Sequence, residues 1–376
     1  MSRRQIHLAV RFPGAGDTTG RTDRRSTSRI EFSSFERLAR TAERGLFDFL
    51  LLAEGPYERR GHHQDLEAAC HPDPVTVLGA LAGVTEHLGL AATVDATCHE
   101  PYGLARRFAT LDHLSGGRAA WNVLTSADAA TGENFRRGGF LDRADRYRRT
   151  AEFLDAAREL WDSWTPDGVA RPFAHRGRHF DIAGEFTVPR SPQGHPVVIQ
   201  AGDCEEEREL AAATADVLLS GPGPAIGSPG RHGGRHSPLA EGQARYADVK
   251  RRLAKYGRAP DDLRIMPVVS VVLGDTATEA QEKSLPIRRS AIEAERPRFL
   301  AGTPEAVATE LEEFVRREAA DGFVLVPHPT PGSLEEFVDR VVPLLQERGA
   351  FRTEYRGTTL HSHLGVPDPA QTAQKD

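Results

Sequence analysis

Short apolar runs alternate with longer amphipathic stretches from one end of the chain to the other. The apolar runs have the length and the composition of buried strands. The segments between them are long enough for a helix and its turns. Strands that alternate with helices favour a parallel sheet covered by helices. Eight strands are predicted: Ile6–Phe12, Phe47–Ala53, Leu88–Val94, Ala119–Leu124, Val197–Gln200, Val217–Ser220, Ile265–Leu273 and Phe323–Val326.

Eight such units predict an α/β fold, a single (β/α)8 TIM barrel over residues 1–366. The length of 376 residues allows one such barrel or two domains. Residues 367–376, with the sequence PDPAQTAQKD, have the composition of a disordered tail. The longest helical pattern is Asp145–Trp164, where apolar residues three or four positions apart define one face.

Three polar segments interrupt the pattern, and each follows a predicted strand. They are Gly14–Ser28, Glu58–Pro72 and Gly221–Ser237. Loops that follow barrel strands lie at the C-terminal face, where barrel enzymes carry their active sites. We therefore expect insertions at this mouth of the barrel.

Charge and hydropathy exclude several classes of protein. The 48 basic residues are balanced by 54 acidic ones, and no block of like charge suggests a nucleic-acid surface. No run approaches the roughly 18 apolar residues of a membrane helix, and the first residues lack the apolar core of a signal peptide. We expect a cytoplasmic protein whose three scattered cysteines, Cys70, Cys98 and Cys204, are reduced thiols.

Motifs for other chemistries are missing from the sequence. It contains no Walker A motif, Rossmann fingerprint, HExxH or nucleophile elbow. His62, His63 and His71 lie close together, but their spacing fits no standard set of zinc ligands. We predict no metal site.

Long passages resemble the flavin monooxygenase family that includes nitrilotriacetate monooxygenase, dibenzothiophene-sulfone monooxygenase and the large subunit of pristinamycin synthase. The resemblance runs along nearly the whole chain. Its most specific passages are DPVTVLGALAGVTEHLGLAATV (73–94), PYGLARRFATLDHLSGGRAAWNVLTS (101–126), RYRRTAEFLDAARELWDSW (146–164) and HPVVIQAG (195–202).

The resemblance implies a two-component enzyme of the bacterial-luciferase type. A separate NAD(P)H:flavin reductase would supply reduced FMN, and O2 would be the co-substrate that oxygenates a small organic molecule. The reaction would be an N- or S-oxidation, a C–N or C–S cleavage, or a Baeyer–Villiger insertion. Relatives are commonly homodimers or homotetramers, which implies a homo-oligomer here. The sequence identifies neither the substrate nor the reductase.

Four residues at predicted strand ends correspond to positions that contact flavin in the family. Asn122, in WNVLTS, can donate to and accept from a ring edge, although an Asn can also cap a loop. Glu54 stands where relatives usually have Asp; its carboxylate either faces the flavin or pairs with an arginine. Thr93 and Asp95 belong to TVDATCHEPY, in which Asp95 replaces a hydroxyl residue of the family.

A second group of residues corresponds to the family's FMN phosphate site. The Tyr147 hydroxyl reaches the phosphate in relatives, although this tyrosine also shares an apolar helix face, and Arg143 takes the approximate place of an upstream histidine. In QAGDCEEEREL, Gly202, Asp203 and Cys204 begin the second phosphate element, where relatives have a serine in place of Cys204. Glu207 replaces a glycine, and four carboxylates here would repel a phosphate unless they turn to solvent.

Two histidines are candidate catalytic residues. His328 follows the eighth predicted strand and is a possible proton donor or substrate contact, or is simply solvated. His99 lies after the third strand and either faces the substrate or packs in the loop.

Two alternative functions share the barrel. One is a hydride-transfer oxidoreductase that uses flavin or deazaflavin without oxygen. The other is a partner subunit without catalysis whose flavin site has decayed, and the acidic QAGDCEEE passage motivates it.

Overall fold

The strands form a closed parallel barrel. The computed structural model describes residues 4–12, 31–53, 72–125, 141–220, 238–290, 298–327 and 332–369. In chain order the strands are β1 (His7–Arg11), β2 (Phe49–Leu52), β3 (Gly89–Asp95), β4 (Ala119–Leu124), β5 (Phe173–Arg176), β6 (Asp181–Gly184), β7 (Val197–Ala201), β8 (Val217–Ser220), β9 (Arg264–Leu273), β10 (Arg298–Gly302) and β11 (Gly322–Leu325).

Helices surround the barrel. They are α1 (Phe32–Arg44), α2 (Pro74–Ala82), α3 (Pro101–Ser115), α4 (Arg143–Asp162), α5 (Glu205–Thr214), α6 (Pro238–Leu253), α7 (Ala277–Ser290), α8 (Pro304–Arg316), α9 (Ser333–Arg340), α10 (Val342–Glu347) and α11 (Leu360–Leu364). None of the helices that the structure describes is both long and apolar enough to cross a membrane.

The barrel consists of β1, β2, β3, β4, β7, β8, β9 and β11, in this order around the ring. Strand β1 pairs with β11, and β8 pairs with β9 in the register Val217↔Arg264, so the ring has no open edge. These are the eight predicted strands, each found within two residues of its predicted bounds. The predicted TIM barrel is confirmed.

Three strands were not predicted. The antiparallel pair β5–β6 forms a hairpin against α4, where the Glu152 carboxylate accepts the backbone N–H groups of His179 and Phe180. Strand β10 pairs with Val269 to Leu273 of β9, past the residues of β9 that pair with β8. Because all three are short and polar or half-exposed, they lack the apolar run that identified the others.

Alternation along each strand divides the core in two. Ala9, Phe49 and Ala91 belong to a cluster inside the barrel, whereas Leu8 and Leu50 belong to the larger cluster between barrel and helices. The interior cluster also contains Leu360, Leu364 and Val366. Helix α11 and the residues after it therefore fill the lower end of the barrel, and the Leu360 N–H donates to the Gly117 carbonyl.

Aspartates just before three strands accept backbone N–H groups of the neighbouring strands. The carboxylates of Asp48, Asp216 and Asp321 accept from the amides of Leu8 (2.9 Å), Val198 (2.8 Å) and Ile265 (2.9 Å), respectively. Each of these N–H groups belongs to the second residue of its strand, at the lower end of the ladder, and the carboxylate satisfies this buried donor. These contacts fix the lower rim of the barrel.

Asp48 is fully buried and forms an ion pair. Its carboxylate contacts the Arg352 guanidinium, which is 7 % exposed, and lies 3.2 Å from His7 Nδ1. Burial alone would raise the pKa of the Asp48 carboxyl, but Arg352 and His7 hold it well below its usual range.

A second buried carboxylate connects α3 to the barrel floor. Asp112 Oδ1 accepts from the Ala119 N–H at 3.0 Å and from Gln193 Nε2 at 2.6 Å, and Gln193 Oε1 lies 2.8 Å from His361 Nδ1. Burial raises the pKa of Asp112 to about 6, although hydrogen bonds from Ser191, Ala119 and Gln193 act to lower it.

The division into a barrel over 1–366 and a tail stays a prediction. Residues 370–376 lie outside the described part of the chain, as do the three polar segments predicted at the mouth, except Pro72.

We expect Asp48→Ala to lower the free energy of unfolding by about 3–5 kcal/mol, because it leaves the Arg352 charge buried without its partner. Urea denaturation followed by circular dichroism measures the change. Asp339→Ala is the control: this aspartate also pairs with an arginine, Arg44, but both side chains are about half exposed, so the loss should stay below about 1 kcal/mol. Equal losses in both variants would contradict a special stabilising role for the buried Asp48–Arg352 pair.

Asp112 should make stability depend on pH. Since its pKa is raised to about 6 from an ordinary 3.8, the folded state holds an extra proton between these values, and that stabilisation is lost as the pH rises through about 6. We expect the free energy of unfolding of Asp112→Asn, relative to wild type, to increase by about 2 kcal/mol between pH 4 and pH 7. Urea titrations at both pH values test this, and a constant difference would contradict it.

Candidate functional site

Thr93 and Asn122 form a buried polar pair at the upper end of the barrel. They are Cα partners in the β3–β4 register, and two residues earlier Ala91 and Ala120 belong to the interior cluster. Alternation therefore turns both polar side chains into the barrel. Asn122 Nδ2 donates to Thr93 Oγ1 at 2.9 Å, and the two residues are 7 % and 6 % exposed.

The amide oxygen of this pair has no donor within the described part of the chain. Asn122 Oδ1 is buried and accepts no hydrogen bond there. Leaving a buried acceptor unsatisfied costs about 1–3 kcal/mol, and such groups in native proteins commonly meet a ligand or an ordered water. Asn122 is therefore suited to accept a hydrogen bond from a molecule that enters the barrel.

Asp95 ends β3 and organises the turn that follows it. Its Oδ1 accepts from the Thr97 N–H at 2.7 Å, and the Cys98 thiol donates to Oδ2 at 3.6 Å. This is the local side-chain turn typical of aspartate, and it occupies both carboxylate oxygens. The predicted contact of Asp95 with a cofactor stays a prediction.

His99 lies in the same turn. Its Nδ1 is 2.9 Å from the Asp95 carbonyl oxygen. Since a carbonyl can only accept, Nδ1 carries the hydrogen in this contact.

Arg149 on α4 holds this turn in place, and sequence reasoning missed it. Its guanidinium donates to the Ala96 carbonyl and, at 3.0 Å, to the His99 carbonyl, and it lies 4.6 Å from the centroid of the Phe180 ring. Arg149 is the last arginine of RYRR, two residues after Tyr147, and it is a weak signal in a chain this rich in arginine.

The second predicted group meets at the start of α5, directly after β7. Cys204 is the N-cap, and Glu207 Oε2 accepts from the N–H groups of Asp203 and Cys204, each at 2.9 Å. Gly202 has a φ of 143°, and a Cβ at this position would lie 2.1 Å from Glu207 Oε2. The absence of a side chain at Gly202 is thus what lets the carboxylate approach the backbone.

Tyr147 contacts the same carboxylate. Its hydroxyl donates to Glu207 Oε1 at 3.1 Å and lies 3.9 Å from Cys204 Sγ. Burial, with the nearby Glu207 and Cys204 groups, raises the pKa of the Tyr147 hydroxyl above its usual range, so it stays a donor at neutral pH. Burial also raises the pKa of the Cys204 thiol.

The other charges of this group are paired or exposed. Arg143 Nη2 lies 3.2 Å from Glu206 Oε2, with both side chains about half exposed, and Arg245 Nε lies 3.0 Å from Asp203 Oδ1. The Glu205 side chain is 80 % exposed. The expected outward turn of carboxylates thus occurs at Glu205 and Glu206, whereas Glu207 turns inward.

The structure therefore forms two groups of candidate residues at the C-terminal ends of the adjacent strands β3, β4 and β7. Thr93 and Asn122 form one, and Tyr147, Gly202, Asp203 and Cys204 form the other. Glu54 and His328 lie outside the described residues, as do His62, His63 and His71. In the described ranges, no group of three or more His, Cys, Asp or Glu side chains could hold a metal ion.

A closed eight-stranded parallel barrel with polar side chains at the C-terminal ends of its strands is the architecture of TIM-barrel enzymes. The family model "Luciferase-like monooxygenase" matches residues 8–350. The chain belongs to the luciferase-like monooxygenases, a family of flavin-dependent oxygenases, and the predicted family and enzyme class are confirmed.

Characterised relatives match over nearly the full length. Nitrilotriacetate monooxygenase component A of Aminobacter aminovorans is 35 % identical, with 91 % of each chain covered. N-acetyl-S-(2-succino)cysteine monooxygenase of Bacillus subtilis (strain 168) is 33 % identical, with 99 % of each covered. Dibenzothiophene-sulfone monooxygenase of Rhodococcus erythropolis (strain XP) is 34 % identical over the same shares.

Two solved monooxygenase structures have the same fold as this chain. The EDTA monooxygenase from Chelativorans sp. BNC1 superimposes with a TM-score of 0.84 at 28 % identity, covering 97 % of this chain and 99 % of that one. A long-chain alkane monooxygenase has a TM-score of 0.83 at 27 % identity, with both chains fully covered.

We expect Arg149→Ala to release the turn that carries His99, because it removes both hydrogen bonds to the turn's carbonyls. Hydrogen–deuterium exchange of the peptide containing residues 95–100 should accelerate by about tenfold, the effect of losing about 1.4 kcal/mol of local stability. Arg148→Ala is the matched control, since its side chain is 64 % exposed and pairs with Asp145 of the same helix. Unchanged exchange in Arg149→Ala would contradict this role.

Proposed function

We propose that this protein is the oxygenase component of a two-component system. A separate NAD(P)H:flavin reductase supplies it with reduced FMN, and with O2 it oxygenates a small organic substrate by N- or S-oxidation, C–N or C–S cleavage, or Baeyer–Villiger insertion. Membership of the flavin-dependent family supports the cofactor class. The nitrilotriacetate relative is named as one component of its monooxygenase, and this supports the need for a partner.

The observation that carries the proposal is the buried acceptor at Asn122. Its amide oxygen faces the barrel interior without a donor among the described residues, and Thr93 fixes the amide orientation by accepting from Nδ2. A flavin ring edge has N–H groups that can donate to such an oxygen, so the residues present fit the ring of the cofactor. Bound flavin would supply the oxygen chemistry, and the chain would orient the ring and exclude water.

His99 and His328 are the proposed acid–base groups. With Nδ1 held by the Asp95 carbonyl, the His99 ring has a fixed orientation, and Nε2 is the nitrogen that can exchange a proton with a substrate. We propose Glu54, Thr93, Asp95, Asn122, Arg143, Tyr147, Gly202, Asp203 and Cys204 as the cofactor-binding residues. A homodimer or homotetramer in the cytoplasm completes the proposal.

The reaction class is tested by oxygen uptake with reduced FMN and a panel of thioethers, sulfones, tertiary amines and ketones. We expect uptake coupled to the appearance of an oxygenated product with one substrate class. A reaction that proceeds at full rate without oxygen would support hydride transfer in its place. No saturable binding of reduced FMN under anaerobic conditions would support a partner chain without catalysis, which the inward position of Glu207 favours.

We expect Asn122→Leu to weaken anaerobic binding of reduced flavin by about tenfold or more. The change removes the buried amide oxygen that accepts from the flavin, and it removes the hydrogen bond from Asn122 Nδ2 to Thr93. Fluorescence titration measures the affinity. Thr93→Ser keeps the hydroxyl and is the matched control, so its flavin affinity should stay within about threefold of the wild type. The affinity of Thr93→Val should lie between those of Thr93→Ser and Asn122→Leu. Wild-type affinity in Asn122→Leu, with the fold intact by circular dichroism, would overturn the ring contact.

A further inference from the structure

Three hydrogen-bond donors converge on one side chain at the upper end of the barrel. The Glu207 carboxylate accepts from the Asp203 and Cys204 amides at 2.9 Å and from the Tyr147 hydroxyl at 3.1 Å. Exposed amides at a helix N-terminus, together with a neighbouring hydroxyl, are the usual donors to a phosphate. Here the chain's own anion takes all three.

The Glu207 carboxylate also occupies the space next to these donors. Gly202 has no side chain, which leaves room above its backbone, and the Glu207 carboxylate fills that room: an added Cβ would lie 2.1 Å from Oε2 and 2.2 Å from Cδ. An anion that used these amides would therefore have to displace Glu207 and break its three hydrogen bonds.

The neighbouring charges do not offset this carboxylate. Arg143 contacts Glu206 at 3.2 Å, Arg245 contacts Asp203 at 3.0 Å, and Arg208 contacts Asp248 at 3.0 Å. A dianion at the start of α5 would thus meet Glu207 directly, while the nearby arginines already face acidic partners. Like charges at this distance repel unless a cation lies between them.

The ring end of the candidate site is different. Asn122 Oδ1 is buried and lacks a donor within the described residues, and β4, which carries it, pairs with β7, the strand that leads into α5. One end of the site is thus ready for a ligand, and the other end is already satisfied.

We propose that Glu207 abolishes phosphate recognition at this site, so that the chain binds riboflavin about as well as FMN. Glu207 is a specificity-determining residue, and it acts by occupying the donors that a terminal phosphate would use. This inference rests on the proposed flavin function and narrows it. Arg143, Tyr147, Gly202, Asp203 and Cys204 then line the flavin site without binding a phosphate, and a reduced flavin without a phosphate is an equally good cofactor.

The test compares anaerobic affinities for reduced FMN and reduced riboflavin in the full-length protein. We expect the two dissociation constants of the wild type to agree within about threefold, because Glu207 already accepts from the donors that the structure describes at the start of α5. Glu207→Ala frees the amides and removes the charge, so it should tighten FMN relative to riboflavin by about tenfold or more. Glu207→Gln removes the charge but keeps an acceptor on the amides. Its ratio of FMN affinity to riboflavin affinity should therefore lie between the ratios of the wild type and Glu207→Ala.

Glu205→Ala is the matched control. It removes an equal charge from the same helix turn, but its carboxylate is exposed, and the FMN-to-riboflavin ratio should stay within about twofold of the wild type. Riboflavin affinity reports on the integrity of the ring end in every variant. A wild type that binds FMN at least tenfold tighter than riboflavin, or a Glu207→Ala ratio equal to the wild type, would overturn the inference. Failure of the wild type to bind either flavin would instead overturn the proposed function.

Discussion

Closure of the parallel sheet between β8 and β9 determines the rest of this structure. Once the ring is closed, each strand has one face inside the barrel and one face against the helices, and the register decides which side chain takes which face. Thr93 and Asn122 face inward because they are in register with each other and two residues beyond inward-facing alanines. A shift of one residue in either strand would send one of these polar groups into the apolar layer beneath the helices.

Helix α4 connects the start of α5 to the turn after β3. Its first residues reach the start of α5 through Tyr147, and two residues later Arg149 holds the turn after β3. The Phe153 and Trp161 side chains of the same helix are buried in the outer core, which anchors it to the barrel wall. A single rigid element thus fixes the spacing between the turn that carries His99 and the Glu207 carboxylate.

The sequence predicted the barrel well because its strands are buried on both faces and appear as apolar runs. Thr93, Asn122 and Gly202 lie at the C-terminal ends of β3, β4 and β7, and the C-terminal ends of parallel strands meet at one rim. The β5–β6 hairpin and β10 were missed because half-exposed strands leave no such run. Periodicity cannot reveal them.

Contacts between distant side chains were less predictable. The resemblance assigned Tyr147 to a phosphate, and sequence reasoning expected repulsion from Glu207, but nothing in the sequence shows that the two side chains contact each other. The Asx turn of Asp95 is local and depends on backbone geometry that the motif alone does not specify. Arg149 is hidden among many arginines, and its role depends on carbonyls some fifty positions away.

Helix α11 and the residues after it, which fill the lower end of the barrel, affect the order in which the chain can fold. Leu360, Leu364 and Val366 fill the interior beside residues of the first strands, and the Arg264 guanidinium donates to the Leu364 and Gly365 carbonyls. During synthesis on the ribosome, β1 to β4 emerge long before these residues do. The lower end of the barrel can therefore be filled only after the C-terminal segment has been synthesised, so the inward-facing side chains of the first strands lack these apolar partners until then.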